Sequence, residues 1–346
     1  MKLLLVKTSS LGDIVHAFPA LNDAARSVDG LVCDWLVEES YVDLPAWHPA
    51  VRNVITVSLR GWRRPPWLQH IPALRRFLRR LRQEHYDLVL DAQGLLKSAL
   101  LTRLAHGRRI GPDARSLREP LAARLYDETV PVQWKQHAID RNRELFAAAL
   151  GYAVPDTMEY GLRVPVDGGR PKPAADTPYL VFVPGTTWPS KRWPARHWQD
   201  LARTAADAGW RVEVLSGTAP ERNMALKICE GIDNTSVATS LSIEEMARLL
   251  HGARAVVSVD SGPGHLAAAM GTPGVSIYGA TDPELTGTRG PGQAQLRADF
   301  QCAPCLRRYC RFPDRGQIHP DCYATVPPER VWGTLLGLIQ SREPSL

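Results

Sequence analysis

Four short stretches carry the residues most able to do chemistry. In "VVSVDSGPGHLAAAMG" (Val256 to Gly271) an apolar run is followed by Asp260, Ser261, Gly262, Pro263, Gly264 and His265, and then by a helix-like pattern. Gly262 and Gly264 let backbone approach a ligand closely. A helix N-terminus there aims N–H groups and partial positive charge at it, which suits a diphosphate. Asp260 or Ser261 can also serve simply as a helix cap, and a capped end remains an anion site. Pro263 fixes φ and removes one donor. In "YLVFVPGTTWPSKRWP" (Tyr179 to Pro194) Gly185, Thr186 and Thr187 offer N–H groups and hydroxyls, and Lys191 adds a point charge. A Pro-bounded loop with a solvated Lys is the plainer alternative, since the spacing is not that of a Walker loop. In "SGTAPERN" (Ser216 to Asn223) Glu221 can accept from ribose hydroxyls or merely favour a helix dipole. The fourth stretch, "KTSSLGDIVHAFPAL" (Lys7 to Leu21), has the same strand–turn–helix layout. It lacks a glycine fingerprint, and Asp13 stands where a phosphate would be repelled.

The elements that must position these turns follow from hydrophobic runs. Leu3–Val6, Cys33–Val37, Val54–Val57 and Leu88–Leu90 read as strands, separated by helix-like segments at Ala20–Arg26, Leu74–Arg82 and Leu95–Ala105. "VPVDGGRPKPAADTP" then breaks the pattern and reads as a boundary. The alternation restarts with strands Leu180–Val183, Val212–Leu215, Ala255–Val259 and Val275–Tyr278, and with helices Trp198–Ala208, Ile243–Leu250 and Gly264–Met270. The expected class is α/β: two facing, doubly wound, Rossmann-like domains with a central cleft. The expected boundaries are residues 1–165, a linker at 166–178, a second domain at 179–327, and a last helix at 328–346 that can pack back on the first domain.

The 346 residues are 44% apolar and 23% charged, with net charge +6 and a pI of about 9.1. Residues 1–170 hold 24 Lys and Arg against 19 Asp and Glu; the rest hold 18 against 17. The first half is therefore expected to meet something acidic. No apolar run reaches the roughly 18 residues of a membrane span. The opening "MKLLLVKTSS" is too short in its apolar part for a signal peptide, which points to a cytoplasmic protein. No G-x-G-x-x-G opens either half, which argues against a nicotinamide dehydrogenase. The basic residues lack interleaved aromatics beyond Trp62 and Trp67, which argues against a nucleic-acid binder.

Taken together, "KTSSLGDIVHAFPAL", "DWLVEE", "DAQGLLKSAL", "TTWPSKRWP" and "SVDSGPGHLAAAMGTP" resemble the lipopolysaccharide heptosyltransferases of glycosyltransferase family 9, across nearly the whole chain. The likeness is strongest to the members that place the first heptose, with those that add a later heptose as the nearest alternative. This resemblance implies a GT-B fold and inverting, metal-independent transfer of L-glycero-D-manno-heptose from ADP-heptose to the Kdo of Kdo-lipid A. It places the work on the cytoplasmic face of the inner membrane. By the same resemblance Asp13 is the catalytic base, acting on the acceptor hydroxyl opposite the leaving nucleotide. Thr186 and Thr187 meet the donor phosphates, and Lys191 stabilises charge on departing ADP. Glu221 binds the ribose and Leu241 lies against the adenine. Asp260, Ser261, Gly262 and His265 hold the heptose and diphosphate. The absence of any Asp-x-Asp agrees with leaving-group stabilisation without a metal cofactor.

The acceptor would meet the basic half. Ser58 to Gln83 holds eight Arg and no acid. Guanidinium groups of Arg60, Arg63 and Arg64 suit the carboxylate of Kdo and the phosphates of lipid A; Arg118 is a further acceptor-site Arg by resemblance. Leu74, Phe77, Leu78 and Leu81 share a helical face expected in the core, and the Arg face can rest on an anionic inner-membrane surface. Four cysteines cluster as Cys302-x2-Cys305-x4-Cys310-x11-Cys322. In the cytosol such a set reads as a structural zinc site or as reduced, unligated thiols, and His319 can replace one thiol.

Overall fold

The computed structural model describes residues 1–62, 65–165, 178–314 and 318–341. The expected linker, apart from Pro178, lies outside the described residues, as do Arg63 and Arg64. The chain divides into two compact units, Met1–Arg163 and Val164–Leu346.

In the first unit, β1 (Lys2–Val6), β2 (Val32–Glu38), β3 (Val51–Val57), β4 (His85–Asp91), β5 (His106–Pro112) and β6 (Glu128–Val130) form one sheet in the order β3-β2-β1-β4-β5-β6. Every pairing is parallel. A strand covered on both faces can be apolar throughout, and Leu3 to Val6 are completely buried. The strand order reverses between β1 and β4, so the loops that follow these two strands flank a topological switch point. One is the loop that opens with Lys7 and Thr8 and leads to Asp13; the other begins at Ala92.

The second unit repeats the plan. Its strands are β7 (Tyr179–Val183), β8 (Arg211–Ser216), β9 (Thr235–Thr239), β10 (Ala255–Val259), β11 (Gly274–Tyr278) and β12 (Gln293–Arg297), in the order β12-β11-β10-β7-β8-β9 and again all parallel. Its switch point lies between β7 and β10, whose loops carry Lys191 and Asp260. Phe182, Trp193, Trp198, Val257 and Ile277 centre the core. The closing helix Pro328–Gln340 places Val331, Leu335 and Ile339 on one face, at four-residue spacing, within that same core.

One expectation for the Arg-rich segment changes. Leu74 is 39% exposed and outside the core cluster, which takes Phe77 and Leu81 with Leu78 packed against it; the first turn of the helix Ile71–Leu81 is apolar toward solvent. Trp62 closes the helical turn Leu59–Trp62 and meets Phe77 edge-on, ring centroids 5.5 Å apart, so it packs against the same core.

Candidate active site

In the second unit the two loops at the switch point meet through side chains. Lys191 ends a 3₁₀ turn that begins at Pro189, and its Nζ lies 2.7 Å from Asp260 Oδ2 and 4.9 Å from the ring centroid of Trp188. Thr281 Oγ1 donates to the same oxygen at 2.7 Å, and His265 Nε2 lies 3.4 Å from Oδ1. Thr186 Oγ1 donates to the Asp260 carbonyl at 3.2 Å. Burial alone pushes the Asp260 carboxyl upward. The His265 hydrogen bond and the Lys191 charge outweigh it and hold the group well below the usual carboxylate range. Asp260 is thus a fixed anion that aims a cation and an imidazole.

Ser261 takes the N-cap position of the helix Gly262–Ala269 in extended backbone, and its buried hydroxyl has no hydrogen-bond partner among the described residues. Pro263 sits in the first turn, where a helix has no internal partner for its N–H groups, so its missing donor weakens no backbone bond. Gly262 and Gly264 keep theirs. The helix end therefore offers N–H donors, a hydroxyl and partial positive charge beside the Lys191–Asp260 pair.

Glu221 serves two ends. Its Oε2 accepts from the N–H groups of Gly217 and Thr218 at 3.0 and 2.9 Å, completing a capping box for the helix Ala219–Cys229. Its Oε1 lies against Gly185, where a Cβ would come within 2.7 Å of it. Gly185 is glycine because two site loops close on each other there. Thr187 is exposed. Leu241 is half-exposed in the turn after β9, next to Ser240 at φ +57°. With the nucleotide-sugar donor that the sequence resemblance implies, Gly185→Ala is expected to push Glu221 aside and raise KM several-fold with little change in kcat; a donor titration of the variant checks this.

The first unit answers why an acid stands at its first turn. The N–H groups that would cradle a phosphate are already taken up. Gln93 Oε1 accepts from Thr8 N at 3.0 Å and from Ser9 N at 3.1 Å. Asp13 Oδ2 accepts from Ser10 N and Ser10 Oγ, both at 2.8 Å, capping the helix Leu11–Val15. Asp13 Oδ1 has no hydrogen bond among the described residues and is able to take a proton. Asp13 is thus both helix-capping residue and accessible carboxylate.

Cations surround this carboxylate. Lys7 Nζ donates to the Ala92 carbonyl at 2.6 Å. Burial lowers its pKa while Asp13 and Asp91 oppose that shift. Burial likewise lowers that of Arg141, against Asp13 and with Arg118. Arg118, named from sequence, therefore shares its field with Arg141, which sequence reading missed. Arg141 lies in the helix Ala138–Leu150, over the ring of Trp134 at 4.8 Å. The side chain of Arg60, at the start of the Arg-rich segment, is outside the described residues, as are Arg63 and Arg64.

The four clustered cysteines line one small cavity of about 20 Å³, which also touches Ser190 beside Lys191. They are free thiols. Burial, then the other three thiols, push that of Cys322 up to about 12. Among the described residues no three His, Cys, Asp or Glu side chains are placed to hold a metal ion. The same segment anchors the Lys191 loop: Ser190 N donates to the Arg308 carbonyl at 3.3 Å, and the Tyr323 hydroxyl to the Ser190 carbonyl at 3.3 Å.

Comparison with known proteins adds independent findings. Residues 74–315 match glycosyltransferase family 9 (heptosyltransferase). Lipopolysaccharide heptosyltransferase 1 of Pseudomonas aeruginosa is 45% identical over 99% of both chains. The Escherichia coli heptosyltransferase WaaC, solved with ADP and with ADP-2-deoxy-2-fluoro heptose, is 42% identical over 86% of this chain and 94% of its own, with TM-scores of 0.79 and 0.77. Lipopolysaccharide heptosyltransferase 2 of E. coli is 31% identical over only 33% of this chain and 34% of its own. With two parallel-sheet α/β units of the GT-B type and a family match across most of its length, the chain belongs to glycosyltransferase family 9, the heptosyltransferases.

Proposed function

We propose that the chain transfers L-glycero-D-manno-heptose from ADP-heptose to the Kdo of Kdo-lipid A, with inversion and without a catalytic metal ion. The observation that carries the donor side is the Lys191–Asp260–His265 group beside the open N-terminus of Gly262–Ala269. As the glycosidic bond to ADP breaks, charge builds on the diphosphate. Lys191 and the N–H groups of that helix end meet it, already oriented by Asp260. Glu221, beside Gly185, has Oε1 for the ribose hydroxyls, and Leu241 offers an apolar surface to the adenine. On the acceptor side Asp13 Oδ1 takes the proton from the attacking hydroxyl. Arg118 and Arg141 bind the Kdo carboxylate. The near full-length likeness to lipopolysaccharide heptosyltransferase 1, against a partial one to lipopolysaccharide heptosyltransferase 2, supports this choice over a later step.

Mass spectrometry and NMR of Kdo-lipid A after incubation with ADP-heptose test the reading. One added heptose, with anomeric configuration opposite to the donor's, is expected. Transfer only onto an already heptosylated core would assign the chain to the later step instead.

We also propose that the acceptor is met at an anionic membrane surface. Leu68 is 79% exposed, Ile71 and Leu74 are each 39% exposed, and Arg75, Arg76, Arg79 and Arg80 are exposed around them. Apolar side chains beside a cationic helix face fit an interfacial helix. Among the described residues no helix is long and apolar enough to cross a membrane. Reversing the charge of these four Arg is expected to weaken binding to anionic vesicles at least tenfold. Unchanged vesicle binding would remove the proposal.

A further inference from the structure

The segment Asp91-Ala92-Gln93-Gly94 starts at the last residue of β4, on the other side of the switch point from the Asp13 turn. Asp91 is fully buried and has no part in the proposed chemistry. Its Oδ1 accepts from the N–H groups of Gln93 and Gly94 at 2.8 and 3.0 Å, and its Oδ2 from the Tyr126 hydroxyl at 2.8 Å. Tyr126 reaches it by lying across Gly111 of β5, where any Cβ would collide with the ring. This buried pair fixes the turn from which the Gln93 side chain reaches the neighbouring loop after β1, at residues 85 and 84 positions earlier.

There Gln93 Oε1 takes two consecutive backbone N–H groups, Thr8 and Ser9. The amide can face only one way, because both partners are donors. Lys7 Nζ bonds the adjacent Ala92 carbonyl. From the opposite side, Trp35 Nε1 donates to the Lys7 carbonyl at 3.0 Å and Glu38 N to the Thr8 carbonyl at 3.1 Å. β2 thus holds Lys7 and the Thr8 carbonyl, and Gln93 holds the Thr8 and Ser9 N–H groups. The next residue, Ser10, starts the helix that carries Asp13.

We infer that Gln93 is a positioning residue for Asp13: its side-chain oxygen sets the Thr8–Ser9 backbone from which the base projects. The inference rests on the reading of Asp13 as base. A misplacement of about 1 Å at a reacting group can lower a rate by roughly 100-fold. Leucine at 93 keeps the shape and removes the acceptor; glutamate keeps the acceptor oxygen and adds charge.

The test compares Gln93→Leu, Gln93→Glu and Asp13→Asn with the unaltered protein, using kcat, KM for ADP-heptose, the pH profile of kcat and thermal unfolding. Gln93→Leu is expected to lose roughly 10- to 100-fold in kcat, with donor KM within twofold. Gln93→Glu is expected to recover most of that loss. It should also move the acidic limb of its profile to higher pH, since a second carboxylate beside Asp13 makes that group harder to ionise. A role in folding alone would lower the unfolding temperature and leave the limb in place. Full kcat in Gln93→Leu, or a Gln93→Glu variant no better than leucine, would overturn the inference. Full activity of Asp13→Asn would instead overturn the base assignment on which it rests.

Discussion

Asp13→Asn is expected to lower kcat by roughly 100- to 10,000-fold, the range for loss of a positioned general base. It should leave donor KM nearly unchanged, because the proposed donor groups lie in the other unit. The substitution separates the two roles of this side chain. Asparagine still offers an oxygen to Ser10 N and Ser10 Oγ, so the helix Leu11–Val15 keeps its cap. It does not take up a proton at neutral pH. Asp13→Ala removes both roles and adds a stability loss of about 1 kcal/mol. Steady-state kinetics with thermal unfolding of both variants checks this. An Asn variant as active as the unaltered protein would reduce Asp13 to a capping residue.

The second large effect is expected at Lys191. Lys191→Met should lower kcat by roughly 100- to 1,000-fold, as for loss of one preorganised group that meets developing charge. It should also change the acid stability of the protein. The folded carboxyl of Asp260 sits well below the ordinary value of about 3.9. A group depressed in this way contributes stability that is fully present above its unfolded pKa and is lost as pH falls through the folded one. Without Lys191, burial still pushes Asp260 up and only His265 and Thr281 resist. The folded pKa then rises, the contribution shrinks, and unfolding begins at higher pH. Denaturant titrations from pH 7 to pH 3 should show the Lys191→Met midpoint falling away earlier on acidification. Coincident curves would mean that His265 and Thr281 alone set the state of Asp260.

Much of this was readable in the chain. The central strands are buried on both faces and so are continuous apolar runs, and each site turn follows one of them. Strands at or next to a sheet edge were harder. "HGRRIGP" in β5 and "QAQLR" in β12 alternate exposure and mix in Gly, Pro, Arg and Gln, so they look like loops. The helix Ala138–Leu150 was missed, and Arg141 with it. Asp260 was placed at the right turn, but its ion pair with Lys191 spans 69 residues and no local pattern announces it. Gln93 is the clearest case: its motif was visible, yet its partners are set by the pairing of β1 with β4. Leu74 shows the reverse limit, since a helical apolar stripe does not tell how far along the helix the core extends.

The most direct test of the account is ADP release from ADP-heptose in EDTA, with and without Kdo-lipid A, for the unaltered protein and Asp13→Asn. The account predicts release that depends on the acceptor, persists in EDTA and collapses in the variant. Release abolished by EDTA and restored by a divalent cation would contradict it, as would acceptor-dependent release that survives loss of Asp13.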